Sequence, residues 1–304
     1  MNIITLTLNP AFDVHCAAPG FAAGRENAVR LLSRDAGGKG INISRALAAC
    51  HVPSTAYVVV GEENGADFCR ALADGGLSYT ALTVPGRIRE NITLHTEGLG
   101  ETRISFPGFA VAADLLAQIE QALLPLADAN AVFTLTGSLP QGITAAAIQP
   151  LLARLQARGA RIVIDSRSFS LPDLIAARPF LIKPNEEEIS LYYDKPIKTL
   201  ADAADAADAI REQGIENVML SLGAMGAALA TPRGRYTCRA PSIKPISTIG
   251  AGDSSIAGFL AACLAGGTDE ECLRTAIAYG SAACMQEGTL PPAAADVAHL
   301  LMMI

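Results

Sequence analysis

The sequence predicts an α/β fold with a largely parallel sheet, and three observations carry that reading. Short β-branched runs alternate along the chain with segments of helical period, the alternation expected of βα units. The chain has 304 residues, half of them hydrophobic, so it can bury one large core, or a large core with a small appendage. Glycine (27 residues) and alanine are plentiful while charged residues make up 17%. That is below the roughly 25% of an average soluble domain and suits closely packed helices and sheet.

Taken in order, residues 3–8 alternate apolar side chains with threonine and stop at Asn9-Pro10, a strand that runs into a turn. A helix is predicted from near Gly40 to beyond Ala49. Strands follow over 56–60, 131–135, 161–164, 180–182 and 217–221, and helices over 66–73, 115–124, 145–157 and 200–213. The Ala/Asp-rich stretch 201–209 reads as one exposed helix face. Two stretches, 14–32 and 83–106, break the rhythm: strand-like pieces such as Asn91-Ile92-Thr93-Leu94-His95 succeed one another with no helix between them. They predict a small antiparallel sheet inserted into the α/β body, a candidate lid. The chain has no internal repeat, low-complexity linker or long charge run.

The formal charge of −7 argues against binding to nucleic acid or to a membrane surface, which calls for an electropositive footprint. An anionic ligand must then be held by a few placed cations and backbone amides. The seven cysteines, at 16, 50, 69, 238, 263, 272 and 284, form no C-x-x-C pair and sit mostly among apolar residues, so they read as buried thiols of a reducing compartment. The first ten residues carry neither a basic start nor a small-residue cleavage site, and no apolar run is long enough to span a bilayer. A cytoplasmic protein is expected.

Four strands end in small or polar residues: at Thr136-Gly137-Ser138-Leu139-Pro140, at Asp165-Ser166, at Lys183-Pro184-Asn185 and at Ser221-Leu222-Gly223. Ligands of open α/β sheets bind at the carboxyl ends of the strands, so four such ends in succession outline a site. The sharpest signal is Thr248-Ile249-Gly250-Ala251-Gly252-Asp253-Ser254-Ser255 ahead of an apolar helix over 256–264. Glycines before a helix let amides approach a phosphate at the positive end of the helix dipole. Asp253 there could take a proton from a hydroxyl beside a phosphate, or could only cap the helix. A second cluster, Gly37-Gly38-Lys39-Gly40-Ile41-Asn42, opens another helix; it could present amides, a lysine and a side-chain amide to a polar ligand, or be a tight turn with a solvated Lys39. Arg25, Lys39, Arg87, Arg89 and Arg103 are candidate phosphate cations, each with an exposed surface charge as its alternative, and Asp13 could bind hydroxyls or complete an Asx turn. A P-loop is excluded by the lack of G-x-x-x-x-G-K-[ST], a Rossmann fingerprint by the lack of glycine at 255, and a zinc enzyme by histidines at 15, 51, 95 and 299 in no ligand spacing.

Together, the 37–42 element, Gly137-Ser138-Leu139-Pro140, Lys183-Pro184-Asn185 with Glu188, Ser221-Leu222-Gly223 with Gly226, and Gly250-Ala251-Gly252-Asp253 follow the order and spacing of a known family. From Leu6 to about Thr289 the chain resembles the ribokinase-like, phosphofructokinase B sugar kinases. It is most similar to their 1-phosphofructokinase and tagatose-6-phosphate kinase branch, through residues 7–13, 38–42 and Arg87-Ile88-Arg89-Glu90-Asn91. The resemblance implies a three-layer α/β/α sandwich with a mainly parallel sheet, one domain over 1–304 with lid segments at about 12–32 and 83–108, and a homodimer in which the lids meet. It implies ATP as co-substrate and Mg²⁺ bridging its phosphates. Asp253 would be the base, with the amides of Gly250, Ala251 and Gly252 as the anion hole. Asp13, Gly38 and Asn42 would hold sugar hydroxyls, and Lys39, Arg89, Asn91, Arg103 and Ser138 would surround the substrate and its phosphate, with Arg25 arriving from a partner subunit. Lys183, Asn185, Ser221, Gly223, Gly226 and Thr248 would line the nucleotide side, and Glu188 would serve the metal indirectly. Two departures stand out: Arg167 beside the carboxylate of Asp165, and Ile88-Arg89 in place of a Thr-Arg pair. The implied reaction phosphorylates a ketohexose phosphate, fructose 1-phosphate to fructose 1,6-bisphosphate first, tagatose 6-phosphate second and fructose 6-phosphate third. Lys39, Arg89 and Arg103 weigh against an unphosphorylated sugar or nucleoside. A non-catalytic sugar-phosphate sensor predicts a lost base or anion hole, and both are present.

Overall fold

Strands and helices alternate in the computed structural model, which describes residues 2–98, 100–112, 114–193 and 195–304; Leu99, within the second inserted stretch, lies outside the described residues. The chain opens with β1 (Asn2–Thr7), β2 (Ala11–Ala18), β3 (Arg30–Gly37), α1 (Lys39–Ala49), β4 (Ser54–Gly61), α2 (Gly65–Asp74), β5 (Tyr79–Val84), β6 (Arg89–Thr96) and β7 (Gly100–Ser105). There follow α3 (Leu115–Leu123), β8 (Ala131–Thr136), α4 (Ala145–Ala157), β9 (Arg161–Asp165), α5 (Leu171–Ala177), β10 (Leu181–Ile182) and α6 (Glu186–Ser190). The last part holds α7 (Leu200–Arg211), β11 (Asn217–Ser221), β12 (Ala227–Thr231), β13 (Gly234–Cys238), α8 (Ala251–Leu264), α9 (Asp269–Cys284) and α10 (Ala294–Met303).

The main sheet has the order β13-β12-β11-β10-β9-β8-β1-β4-β5. From β11 to β5 every neighbouring pair is parallel, while β12 and β13 close one edge antiparallel. Central strands covered on both faces must be apolar on both, which is why β8 is buried along its whole length. Successive residues serve opposite layers. Ile4 and Phe133 pack into the core shared with α2, α3, α4 and α7, and Ile3 and Val132 into the core shared with α1, α8 and α9. The result is a three-layer α/β/α sandwich.

The second sheet, β3-β2-β6-β7, corrects the expectation of an antiparallel insertion. Its two hairpins, β2–β3 and β6–β7, are antiparallel, but β2 and β6 pair parallel from Ala11↔Arg89 to Ala18↔Thr96. The cause is topological. β1 and β5 are parallel strands of the main sheet, so β2 and β6 leave the same edge of that sheet and travel in the same direction. Thr83 and Val84 belong to β5 and the main sheet. The stretch 201–209 is also corrected: Ala203, Ala204, Ala206 and Ala207 are buried against β11 and β12, because alanine at helical spacing makes a flat face that packs closely on a sheet. Helix α1 ends at Ala49 rather than running on, and His51 follows with φ +61°.

All seven cysteines are free thiols, Cys16 and Cys272 buried and the other five half-buried. Among the described residues no helix is long and apolar enough to cross a membrane.

Candidate active site

The parallel strands end at one edge of the main sheet, and the small sheet stands over that edge. Between them is a cleft of about 490 Å³. Asp13, Gly38, Lys39, Asn42, Arg89, Asn91, Arg103, Ser138, Lys183, Gly250 and Asp253 all line it, from segments more than two hundred residues apart in the chain. A second cleft of about 1010 Å³ lies beside it, lined by Ser221, Gly223, Gly226, Thr248 and Ala251 and walled by the apolar Ile243 and Ile277. Asn185 and Gly252 line both, so the two clefts meet there, one residue from Asp253.

Helix α8 starts at Ala251 because Gly250 takes the left-handed conformation, φ +77°, which glycine adopts without strain. Asp253 therefore falls in the first turn and makes no capping bond. Its side chain, only 6% exposed, turns inward, and its Oδ2 accepts a hydrogen bond from Asn42 Nδ2 at 2.9 Å. The capping alternative is thereby removed. Burial, reinforced by the negative charge of Asp165, pushes the Asp253 carboxyl up to about 6; Lys39, the Asn42 hydrogen bond and Lys183 pull the other way. Such a group is ionised at neutral pH yet basic enough to receive a proton.

Lys39 is not a solvated turn lysine. Its Nζ lies 2.9 Å from Asp165 Oδ2. Burial favours its neutral form, but the Asp165 and Asp253 carboxylates outweigh that and hold its pKa above the ordinary lysine value. Asp13 lies under the small sheet: burial raises its pKa, and Asn91 Nδ2 donates to its Oδ1 at 3.2 Å. Arg89 donates to the Phe106 carbonyl at 2.9 Å and to the Asn9 carbonyl and Ser138 Oγ at 3.2 Å each. It is thus locked across the mouth of β1 and β8. Lys183 approaches the backbone of α8 so closely that a Cβ at Gly252 would sit 2.9 Å from its Nζ.

On the loop that follows β10, Asn185 and Glu188 form a capping box on α6: Asn185 Oδ1 accepts from the Glu188 amide at 2.8 Å and Glu188 Oε2 from the Asn185 amide at 3.2 Å. The other carboxylate oxygen of Glu188 faces Arg167 Nε at 3.3 Å. No group of three or more His, Cys, Asp or Glu side chains among the described residues could hold a metal ion. Glu188 gives the cleft a carboxylate beside Asn185, and a single hard oxygen donor suits a cation carried mainly on ligand phosphates, as Mg²⁺ usually is.

Two expected cations stand apart: Arg25, on the exposed 19–29 segment, and Arg87, exposed before β6, line neither cleft. Other residues join the site without having been given a role in it. Asp165 anchors Lys39, and Asn9 donates to Ser138 Oγ at 3.1 Å; Arg167, Thr7, Thr136 and His15 line the cleft. The strand-end position of Asp165 was its available signal, whereas Asn9 reads only as a turn residue before proline. Buried polar atoms normally find partners, yet Thr7 Oγ1, Asn9 Oδ1, Asn42 Oδ1, Arg89 Nε, Asn91 Oδ1 and Thr136 Oγ1 have none within the protein. Six such atoms around one cleft fit a polyhydroxylated, charged ligand.

A family model described as pfkB family carbohydrate kinase matches residues 8–295. The 1-phosphofructokinase of Escherichia coli (strain K12) is 34% identical over 287 residues, covering 94% of this chain and 91% of its own length. That of Rhodobacter capsulatus is 35% identical over 298 residues, covering 96% and 93%. Among solved structures, phosphofructokinase-2 from Escherichia coli in complex with substrates and products matches with a TM-score of 0.91 at 28% identity, over 100% of this chain and 99% of that one.

Proposed function

Because the chain belongs to the pfkB family of carbohydrate kinases and is a sugar phosphotransferase, we propose that it moves the γ-phosphoryl group of ATP onto the free 6-hydroxyl of fructose 1-phosphate. The products are fructose 1,6-bisphosphate and ADP. The observation that carries this reading is Asp253: a buried carboxylate, ionised near neutral pH, held by Asn42 where the two clefts meet. The choice of sugar follows the names of relatives above 30% identity.

In this reading the sugar lies in the smaller cleft, its hydroxyls on Asp13, Gly38 and Asn42 and its phosphate among Lys39, Arg89, Asn91, Arg103 and Ser138. The nucleotide lies in the larger cleft against Lys183, Asn185, Ser221, Gly223, Gly226 and Thr248. Asp253 accepts the hydroxyl proton as the oxygen bonds to the γ-phosphorus, and the bond from that phosphorus to the β–γ bridging oxygen breaks to release ADP. The amides of Gly250, Ala251 and Gly252, with Lys183, face the charge on the transferring group. Glu188 would serve Mg²⁺ indirectly, and the bound ion would supply charge neutralisation to the nucleotide phosphates. The whole chain acts as one kinase unit whose small sheet is the lid. The lid also joins two copies, with Arg25 offered to the partner's cleft. The free thiols support a reducing, cytoplasmic setting.

The test is initial-rate ADP release with MgATP against fructose 1-phosphate, tagatose 6-phosphate, fructose 6-phosphate, fructose and ribose in parallel. A kcat/KM preference for fructose 1-phosphate is expected. A preference for tagatose 6-phosphate or fructose 6-phosphate would reassign the substrate, and activity confined to fructose or ribose would overturn the roles of Lys39, Arg89 and Arg103.

A further inference from the structure

Arg167 stands two residues beyond Asp165 on the turn that leaves β9, and it lines the sugar-side cleft with Asp253, Lys183 and Glu188. The turn is pinned on the far side of Arg167. The Ser168 amide donates to Ser166 Oγ at 3.2 Å, and Ser168 Oγ accepts from the Leu139 amide at 3.1 Å, which ties the turn to the 137–140 loop. The side chain itself is 76% exposed, and its ion pair is with Glu188. So the backbone is held while the guanidinium can move, and an ion pair that exposed is weak enough to yield to a stronger anion.

Three other cations of the cleft are more firmly committed, whereas Arg103 stands on β7 of the small sheet. Lys39 is paired with Asp165, and Arg89 donates to three oxygens of the surrounding loops. Lys183 is buried over Gly252. The partner of Arg167 also fixes its reach. Glu188 is bonded to Asn185, which lines both clefts, so a guanidinium 3.3 Å from Glu188 stands at the sugar side of their junction. A nucleotide in the larger cleft must project its terminal phosphate through that junction to come within reach of Asp253.

We infer that Arg167 is a ligand of the γ-phosphoryl group, exchanging Glu188 for the phosphate oxygens when the nucleotide binds. The inference rests on the kinase reading above. Guanidinium matches phosphate bidentately, and charge in the transition state is spread over the three equatorial oxygens, where a planar donor can follow it. Arg167 keeps all its protons, and the bonds made and broken remain those of the transfer to the sugar hydroxyl. Glu188, once released, still accepts from the Asn185 amide, so the capping box of α6 survives the exchange.

Isothermal titration of the full-length protein with ATP and with ADP, with and without Mg²⁺, tests this, alongside steady-state kinetics of R167Q and R167K. Wild type binds ATP more tightly than ADP. In R167Q that preference falls by about tenfold, as expected for a lost charge-assisted bond, while ADP affinity is unchanged. Its kcat falls by roughly 10²–10³-fold with the KM for the sugar phosphate unchanged, an effect at or below that of a trans-acting arginine on phosphoryl transfer. R167K recovers part of both losses. An unchanged ATP-to-ADP preference in R167Q overturns the inference. So does a loss confined to the KM for the sugar phosphate, which would put Arg167 on the other substrate. Wild type that binds neither nucleotide would overturn the kinase reading itself, a result distinct from either.

Discussion

A carboxylate kept out of water binds its proton more tightly, and for Asp253 that has consequences in activity and in stability. With its pKa at about 6, kcat/KM should fall on the acid side of pH 6 with the uptake of one proton, and Asp253→Asn should lower kcat by about 10³-fold with ATP binding retained. Stability carries a sign opposite to the usual carboxylate. The unfolded chain titrates this group near 3.8, so between about 4 and 6 the folded state binds more protons, and stability falls as pH rises through that window. Asp253→Asn escapes this loss. Its stability relative to wild type should be higher at pH 8 than at pH 4, by on the order of 2–3 kcal/mol. Urea denaturation at the two pH values measures it, and needs no substrate whose own phosphate ionises near pH 6. Equal differences at both pH values would mean that Asp253 is solvated. The same residue marks what sequence can convey. Gly250-Ala251-Gly252-Asp253 is legible because glycines ahead of an apolar helix form a local pattern, whereas Asp165 shows only as a strand end, because its partner Lys39 is 126 residues away.

At the scale of elements, legibility follows the range of the interactions. Strands β8, β9 and β11 and helix α4 are predicted to within a residue because burial on both faces, or on one helical stripe, writes itself into the local pattern. β12, Ala227–Thr231, is mostly alanine and lacks a β-branched run, and the parallel pairing of β2 with β6 joins residues 78 apart, so neither has a local signature. Helix α8 holds Asp253 in place through its packing between α1 and α9. At Gly258 a Cβ would lie 2.5 Å from the Thr275 carbonyl of α9 and 2.8 Å from the Tyr279 ring. Gly258→Ala should therefore push the two helices apart and cost about 1–3 kcal/mol. It should also lower kcat, since the strain is relieved along the helix that carries Asp253, the proposed base. The control is Gly20→Ala, where a Cβ meets nothing within 4 Å. A denaturation midpoint for Gly258→Ala equal to that of the control would show that the contact relaxes freely.

The whole molecule has an unbalanced surface. Its net charge is −7, yet the small sheet exposes Leu31, at 58%, with Leu32 and Ile104, and Val29 and Phe106 are exposed at the ends of its strands. Both edge strands of that sheet, β3 and β7, leave backbone donors and acceptors unpaired. Clustered exposed apolar side chains beside open edges mark an interaction surface, and the proposed occupant is the same sheet of a second copy. The loop between β2 and β3 carries Arg25 out of its own cleft, which a lid-to-lid arrangement would turn to use. The doubly substituted Leu31→Asp, Phe106→Asp chain should sediment as a monomer while wild type sediments as a dimer. Because each cleft would lose the partner's arginine, the monomer should show a raised KM for the sugar phosphate, matched by Arg25→Ala in a chain that still dimerises. If Arg25→Ala leaves that KM unchanged while the monomer raises it, the second copy acts by holding the lid in position and not by lending a cation. A wild-type chain that is monomeric and fully active would instead make the small sheet a lid complete in itself.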